Sequence, residues 1–196
     1  MSEEDDASLM SRYVRGDARA FERLYQRHRG PLYRYLMRHT RNPDTANDLF
    51  QEAWSKLIAT RERYEPRAKF QTFLFHIAHN CFIDHCRRRG ARPAGADDAA
   101  LDSLAAPATT QPDRHAESSQ ILARYRAALA SLPAEQRDVF LLYEESGLSL
   151  EEIARISGVG AETAKSRLRY ALAKLRAALE PHREPPLGAN FAGARS

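Results

Sequence analysis

Apolar residues recur along this chain at spacings of three and four, and no stretch alternates strictly between apolar and polar. Nearly every patterned segment therefore reads as α-helix. A first helical block runs from about Ala7 to Arg89. Gly16 and Asp17 interrupt it early, and Phe21, Leu24, Tyr25, Leu32, Tyr33 and Leu36 then supply core positions. Asn42, Pro43 and Asp44 mark a turn. The helix that follows, to about Thr60, is strongly amphipathic. Ala46, Leu49, Phe50, Ala53 and Leu57 form its apolar stripe, and Asn47, Asp48, Gln51, Glu52 and Ser55 form its polar face. A charged loop, Arg61 to Lys69, leads into a helix from Phe70 to about Arg89, with Phe70, Leu74, Ile77 and Cys81 as its core stripe.

The pattern stops at Gly90. From there to Glu117 the chain is rich in Ala, Pro, Asp and Thr, with prolines at 93, 107 and 112, and no helical stripe persists. This reads as a flexible linker in which acids (Asp97, Asp98, Asp102, Asp113) outnumber bases. A second helical block spans about Ser118 to Leu179. Ile121, Leu122, Tyr125, Leu129 and Leu132 suggest one helix. Pro133 can open the next at its first position, and that helix presents Val139, Phe140, Leu142 and Tyr143. Residues 181–196, with three prolines and two late glycines, read as a disordered tail.

Between these sits the sharpest local signal. Gly147 ends one helix, and Ser149 stands three residues before Glu152, a capping-box pattern. Leu150, Ile153, Ala154 and Ile156 fit a short helix, Gly158 to Gly160 a turn, and Ala161 to Leu179 a long helix. A short helix, a glycine-containing turn and a longer helix are the parts of a helix-turn-helix. On the long helix, Ala164, Leu168, Ala171, Leu172 and Leu175 are placed inward. Glu162, Lys165, Ser166 and Arg169 share the other face, beside Thr163. Side chains of this kind reach base edges in a major groove, while Arg167, Lys174 and Arg176 are placed to hold phosphates.

Composition narrows the classes. Hydrophobic residues make up 43% of 196, enough for a packed core in one large or two small domains. No apolar run approaches the roughly 18 residues of a membrane span. The start, Ser2-Glu3-Glu4-Asp5-Asp6, lacks the basic and apolar regions of a signal peptide, so a cytoplasmic protein is expected. Cys81 and Cys86 stand five apart in one helix, poorly placed for a disulfide. The net charge of +4 is only mildly basic, but its distribution is informative: bases crowd Arg61 to Arg92 and Lys165 to Arg176. Two separated basic patches suit two contacts with one polyanion.

The first patch interleaves bases with aromatics: Arg61, Arg63, Tyr64, Arg67 and Lys69, then Phe73, His76 and Asn80, and finally Arg87 and Arg88. Cations that track a backbone and rings that stack on exposed bases suit single-stranded nucleic acid. Most of the phenylalanines nevertheless fit a helix core, and the terminal arginines also complement the helix dipole. His76, His79, Cys81, His85 and Cys86 offer only one pair at i, i+4, which is not a metal site. No phosphate-binding glycine loop and no Ser/His/Asp constellation is present, and no cofactor or catalytic residue is expected.

Four segments in this order make the chain recognisable: GDARAFERLYQRHRGPLYRYL from Gly16, DLFQEAWSKL from Asp48, FQTFLFHIAHNCFIDHCRRR from Phe70, and LPAEQRDVFLLYEESGLSLEEIARISGVGAETAKSRLRYALAKLR from Leu132. Together they resemble a bacterial sigma factor of the extracytoplasmic-function (ECF) group, in the sigma-70 family. The resemblance implies an all-α protein of two small helical domains. A sigma-2 bundle would occupy 16–90 behind an acidic segment at 1–15. A linker at 91–117 would join it to a sigma-4 helix-turn-helix domain at 118–180.

It further implies binding to core RNA polymerase, at the β′ clamp and β flap, and to promoter DNA. Asn47, Asp48, Gln51, Glu52 and Ser55 would dock on the clamp. The Arg61–Lys69 loop and the next helix would melt and read the downstream (−10) element as a single strand, with a base turned out; Asn80 falls on a family asparagine. The helix from Ala161 would read the upstream (−35) element as duplex. An anti-sigma factor is a further implied partner class. Departures stand at Asn47 (often acidic), Phe73 (often Trp), Gly160 (often a Ser cap) and Ala164 (often Val). The alternative function is a free-standing helix-turn-helix regulator that acts without polymerase core.

Overall fold

The structure is a computed structural model, and it describes residues 4–65, 69–90 and 112–180, with backbone alone for 112–119. Arg67, most of the expected linker and the whole expected tail lie outside the described residues. Within them the chain is all-α, with no strand: α1 (Asp6–Val14), α2 (Ala18–Thr40), α3 (Pro43–Ala59), α4 (Phe70–Arg88), α5 (Pro112–Ala130), α6 (Ala134–Ser146), α7 (Leu150–Ile156) and α8 (Ala161–Leu179). A single 3₁₀ turn, Arg61–Arg63, precedes α4.

Local chemistry sets these boundaries. The Asp17 side chain accepts from the Arg19 and Ala20 amides and opens α2. Asn42 accepts from Thr45 N, and Pro43, whose fixed φ suits a first helical turn, follows it into α3. Arg41, at φ 52°, closes α2 in the left-handed region. α2 runs unbroken through Pro31. The missing N–H costs a helical hydrogen bond, and buried residues on both sides, Leu24 and His28 before it and Leu32, Tyr35 and Leu36 after it, keep the helix continuous.

Helices α1–α4 form the first unit. α2 packs on α1 and α3, and α4 packs on α3. Its core includes Leu24, Leu36, Leu49, Trp54, Leu57, Leu74 and Phe75. α1 is also held electrostatically: Glu4 pairs with Arg12 and Arg23, and Asp6 with Arg27, at 2.7–2.9 Å. In the second unit α5, α6 and α7 all pack on α8, burying Val139, Ile153, Ile156, Leu168 and Leu175. The two units touch. α6 lies against α2 and α4, and α7 against α4, so the buried apolar residues of both form one cluster.

Three details differ from the sequence reading. α5 begins at Pro112, inside the stretch assigned to the linker, because a proline that cannot continue a helix can still start one. Pro133 caps α6 from outside, and Ala134 is the first helical residue. Leu172 is 39% exposed rather than inward. It lies at the edge of the α8 stripe and lines a shallow apolar groove with Tyr125, Phe140, Leu175 and Leu179.

Candidate nucleic-acid interface

The helix-turn-helix forms as its punctuation dictates. Gly147 adopts φ 63° and ends α6, a conformation costly for residues with a Cβ. Ser149 Oγ accepts from Glu152 N, and Glu152 Oε2 accepts from Ser149 N at 2.8 Å, completing the capping box. Such a cap contributes about 1 kcal/mol. Gly158, at φ 66°, makes the turn. α8 then starts at Gly160 with no side-chain cap.

α8 divides into two faces. Ala164, Leu168, Ala171 and Leu175 are buried. Glu162, Thr163, Lys165 and Arg169 are exposed, and Ser166 and Arg167 are half-buried. Among the described residues few contacts restrain the polar face. Lys165 Nζ lies 3.8 Å from Glu162 Oε1, Arg169 stacks over Tyr170 at 5.0 Å, and Arg167 reaches Glu135 at 3.9 Å. Ion pairs this long contribute little to stability, so these cations are available to a polyanion. Lys174 donates to Ser131 O at 2.7 Å and is thereby tied to the end of α5.

The first unit presents its residues less openly. Tyr64, grouped by sequence with exposed stacking rings, is 7% exposed and packs on Phe70 and Phe73. Its ring belongs to the core, because the 3₁₀ turn folds the chain back onto α4. Phe73 is half-buried, whereas His76 and Asn80, one turn apart, are exposed with 3.3 Å between Asn80 Nδ2 and His76 Nε2. Burial holds the His76 ring below the usual imidazole range, so near neutral pH it is uncharged, with its acceptor nitrogen facing the Asn80 amide and one donor N–H. Arg63 is exposed. Arg61 donates to Ile58 O at 3.0 Å and stacks over Tyr13. Arg87 and Arg88 are exposed at the end of α4.

Lys69 is exposed but engaged. Its Nζ lies 3.1 Å from Glu152 Oε2, and Thr72 Oγ1 donates to Glu152 Oε1 at 2.9 Å. Thr72 was missed in the sequence, where it reads as an ordinary polar residue of a first helical turn.

The polar face of α3 is also open. Asn47, Asp48, Gln51 and Ser55 are exposed, and Glu52 is half-buried. Glu52 pairs with Lys56 at 2.8 Å and with Arg88 at 3.6 Å. Its carboxyl lies below the usual range, chiefly because of the Lys56 hydrogen bond. Among the described residues no group of three potential metal ligands gathers, and no helix is long and apolar enough to cross a membrane.

Comparison with known proteins agrees with this geometry. The family described as Sigma-70 region 2 matches residues 24–92, and Sigma-70, region 4 matches residues 128–177. The chain is 32% identical to the ECF RNA polymerase sigma factor SigM of Mycobacterium tuberculosis over 88% of its own length and 84% of the relative's. It is 33% identical to the RNA polymerase sigma factor CarQ of Myxococcus xanthus, over 85% and 93%. Among solved structures, the sigma factor RpoE of Bartonella quintana, in complex with the anti-sigma factor NepR, superposes with TM-score 0.67 at 26% identity, covering 83% of this chain and 98% of that one.

The class is therefore a two-unit, helix-turn-helix transcription initiation factor. The chain belongs to the ECF RNA polymerase sigma factors of the sigma-70 family. As such it works with core RNA polymerase on promoter DNA, and the free-standing regulator is the weaker alternative.

Proposed function

We propose that the two units read two promoter elements from separate faces while core polymerase holds both. In this reading α8 enters the major groove of the upstream element. Glu162, Thr163, Lys165, Ser166 and Arg169 face base edges, and Arg167 faces the backbone. In the first unit Arg61, Arg63, Lys69, Arg87 and Arg88 track the phosphates of the melted downstream strand. Phe73, His76 and Asn80 receive a base turned out of the stack. Asn47, Asp48, Gln51, Glu52 and Ser55 of α3 dock on the β′ clamp, and the second unit meets the β flap.

The protein contributes specificity and no catalytic group, and it acts in the cytoplasm beside the polymerase. An anti-sigma factor would compete for the same faces. Two weak contacts joined through one assembly bind far more tightly than either alone.

The observation that carries this reading is the division of α8 into a buried apolar stripe and an open basic face, on a chain whose other unit offers a second basic region and an open acidic helix face. The test is promoter-dependent transcription with core polymerase and the full chain. Complex formation with specific initiation is expected. Absence of both would overturn the proposal.

A further inference from the structure

Tyr170 is the most exposed large apolar side chain among the described residues, at 55%. It stands on α8, turned away from the buried stripe of Ala164, Leu168, Ala171 and Leu175, one turn beyond Ser166 and Arg167. A single exposed ring on a protein surface is ordinary. What marks this ring is its neighbour. The Arg169 guanidinium carbon lies 5.0 Å from the Tyr170 ring centroid, inside the range of about 6 Å over which an aromatic face attracts a cation. Among the described residues Arg169 makes no ion pair and no hydrogen bond, so the ring is what holds it.

Other cations of the chain are held differently. Where α6 meets α2, Arg38 Nη1 lies 2.7 Å from Glu144 Oε2 and Arg34 Nε lies 2.8 Å from Glu145 Oε2, while Asp138 Oδ1 lies 3.3 Å from His39 Nε2. Lys69 Nζ lies 3.1 Å from Glu152 Oε2. Each of these contacts uses a donor that the cation would offer to another partner. A stacked ring does not. The guanidinium is planar, its five N–H groups lie in that plane, and it stacks on an aromatic through its face. The edge that pairs bidentately with guanine O6 and N7 stays open while the side chain is held.

Holding matters because an arginine side chain is long and has many rotamers. Ordering it at the moment of binding costs free energy, and ordering it beforehand removes that cost. Side chains of an α-helix lean toward its N-terminus. Arg169 and Tyr170 therefore both lean toward the turn that carries Lys165 and Ser166, where the rest of the proposed base-facing set stands.

We propose that Tyr170 is a positioning residue for base reading. Its ring holds Arg169 in order on the surface of α8, with the donor edge free for one base pair of the upstream element, and thereby sets how sharply that base pair is chosen. The base favoured there is guanine, which matches the fork of the guanidinium. The proposal rests on the reading of Arg169 as a base-contacting residue. An exposed contact between a cation and a ring is worth about two- to fivefold in affinity, and here its loss falls on one position of the promoter.

The test uses the full chain assembled with core polymerase. Promoter duplexes randomised across the upstream element are bound, recovered and sequenced. The wild type is compared with Arg169→Ala, Tyr170→Phe, Tyr170→Leu and the double variant Arg169→Ala with Tyr170→Leu. Arg169→Ala marks the position it reads by the guanine preference lost there. Tyr170→Leu should weaken that preference about two- to fivefold at the same position and leave the others unchanged. Tyr170→Phe, which keeps the ring, should retain the wild-type preference. In the double variant the tyrosine change should add nothing, because the side chain it steers is gone. Tyr170→Leu should leave the melting midpoint of the second unit unmoved, since the ring lies outside the core.

A Tyr170→Leu variant that shifts preference at a different position, weakens all upstream sequences uniformly or changes nothing would overturn the proposal. So would a tyrosine effect as large in the double variant as alone, or a Tyr170→Phe variant as impaired as Tyr170→Leu, which would assign the effect to the hydroxyl. Failure of the underlying reading is seen separately, in an Arg169→Ala variant that alters no base preference.

Discussion

The two regions proposed to face DNA in this sigma factor are built in opposite ways. The α8 face of the second unit is open, its cations joined among the described residues by long or exposed contacts. The α4 region of the first unit is half hidden. Tyr64 and Phe70 are core residues, Phe73 is half covered, and Lys69 is held by a carboxylate from the other unit. The difference fits the ligands proposed for them. A duplex groove is met by a preformed helix surface, which costs nothing to leave exposed. A single strand is met by aromatic faces and unpaired cations, which in a free protein would be an exposed apolar and basic patch. The first unit keeps such a patch small.

The sharpest way to break this contrast is Tyr64→Ala. If the ring is core, truncation should cost about 3–5 kcal/mol in chemical unfolding of the first unit, the usual loss for a buried aromatic. Unchanged stability with impaired promoter opening would restore Tyr64 to the DNA-stacking set. Next is Arg169→Ala on the open side. It should leave unfolding unchanged but cost about 1–3 kcal/mol in holoenzyme binding to the upstream element and relax preference at one position. A uniform loss across upstream sequences would make it a phosphate contact instead.

Acid should also separate the units. His28 lies 2.6 Å from Asp6 Oδ2 and against Phe70. Burial, opposed by Asp6, holds its ring below the usual range. His39, at the contact between units, is lowered by burial against the pull of Asp138, with Arg137, His79, Tyr35 and Arg41 also facing that site. A lowered histidine means that the folded state binds fewer protons than the unfolded one. Its contribution is fully present above pH of about 6.5 and is lost as pH falls through the lower folded value. Residues 120–180 contain no histidine. Melting of the first unit should therefore decline between pH 7.5 and 5.5 while the second unit holds, and His28→Asn should flatten that slope.

The smallest effect belongs to Gly160→Ser. Gly160 has φ −72° and ψ 154°, an ordinary cap conformation, and a Cβ there meets nothing within 4 Å. A serine cap should stabilise α8 by a few tenths of a kcal/mol relative to glycine, seen as a slightly higher midpoint for the second unit. A lowered midpoint would mean that the turn needs glycine.

What the sequence makes legible here is mainly what punctuation and periodicity control. Asn42-Pro43, Gly147, Ser149 with Glu152, and Gly158 each fix a chain end by local chemistry, so α3, α7 and α8 are readable within a residue or two. The α3 polar face and the buried α8 stripe follow from spacing. What escapes is whatever depends on a distant partner. Asp138 and Glu145 look like ordinary solvated acids until α2 supplies His39, Arg34 and Arg38. Tyr64 looks like loop until the 3₁₀ turn folds it onto Phe70. Leu172 looks like core because the stripe predicts its direction but not the width of the neighbouring helices. One trace of the hidden contact is present in the chain: two acids seven apart on α6, bracketing Leu141 and Leu142.

The central claim is that the two units read separate promoter elements within one polymerase assembly. Holoenzyme footprinting combined with permanganate probing of unpaired thymines tests it directly, with Arg169→Ala and Asn80→Ala compared on one promoter. Arg169→Ala should weaken upstream protection while leaving melting intact in the complexes that form. Asn80→Ala should keep upstream protection and lose downstream melting. If each variant lost both signals in the same proportion, the two faces would not be separate readers, and the account would be contradicted.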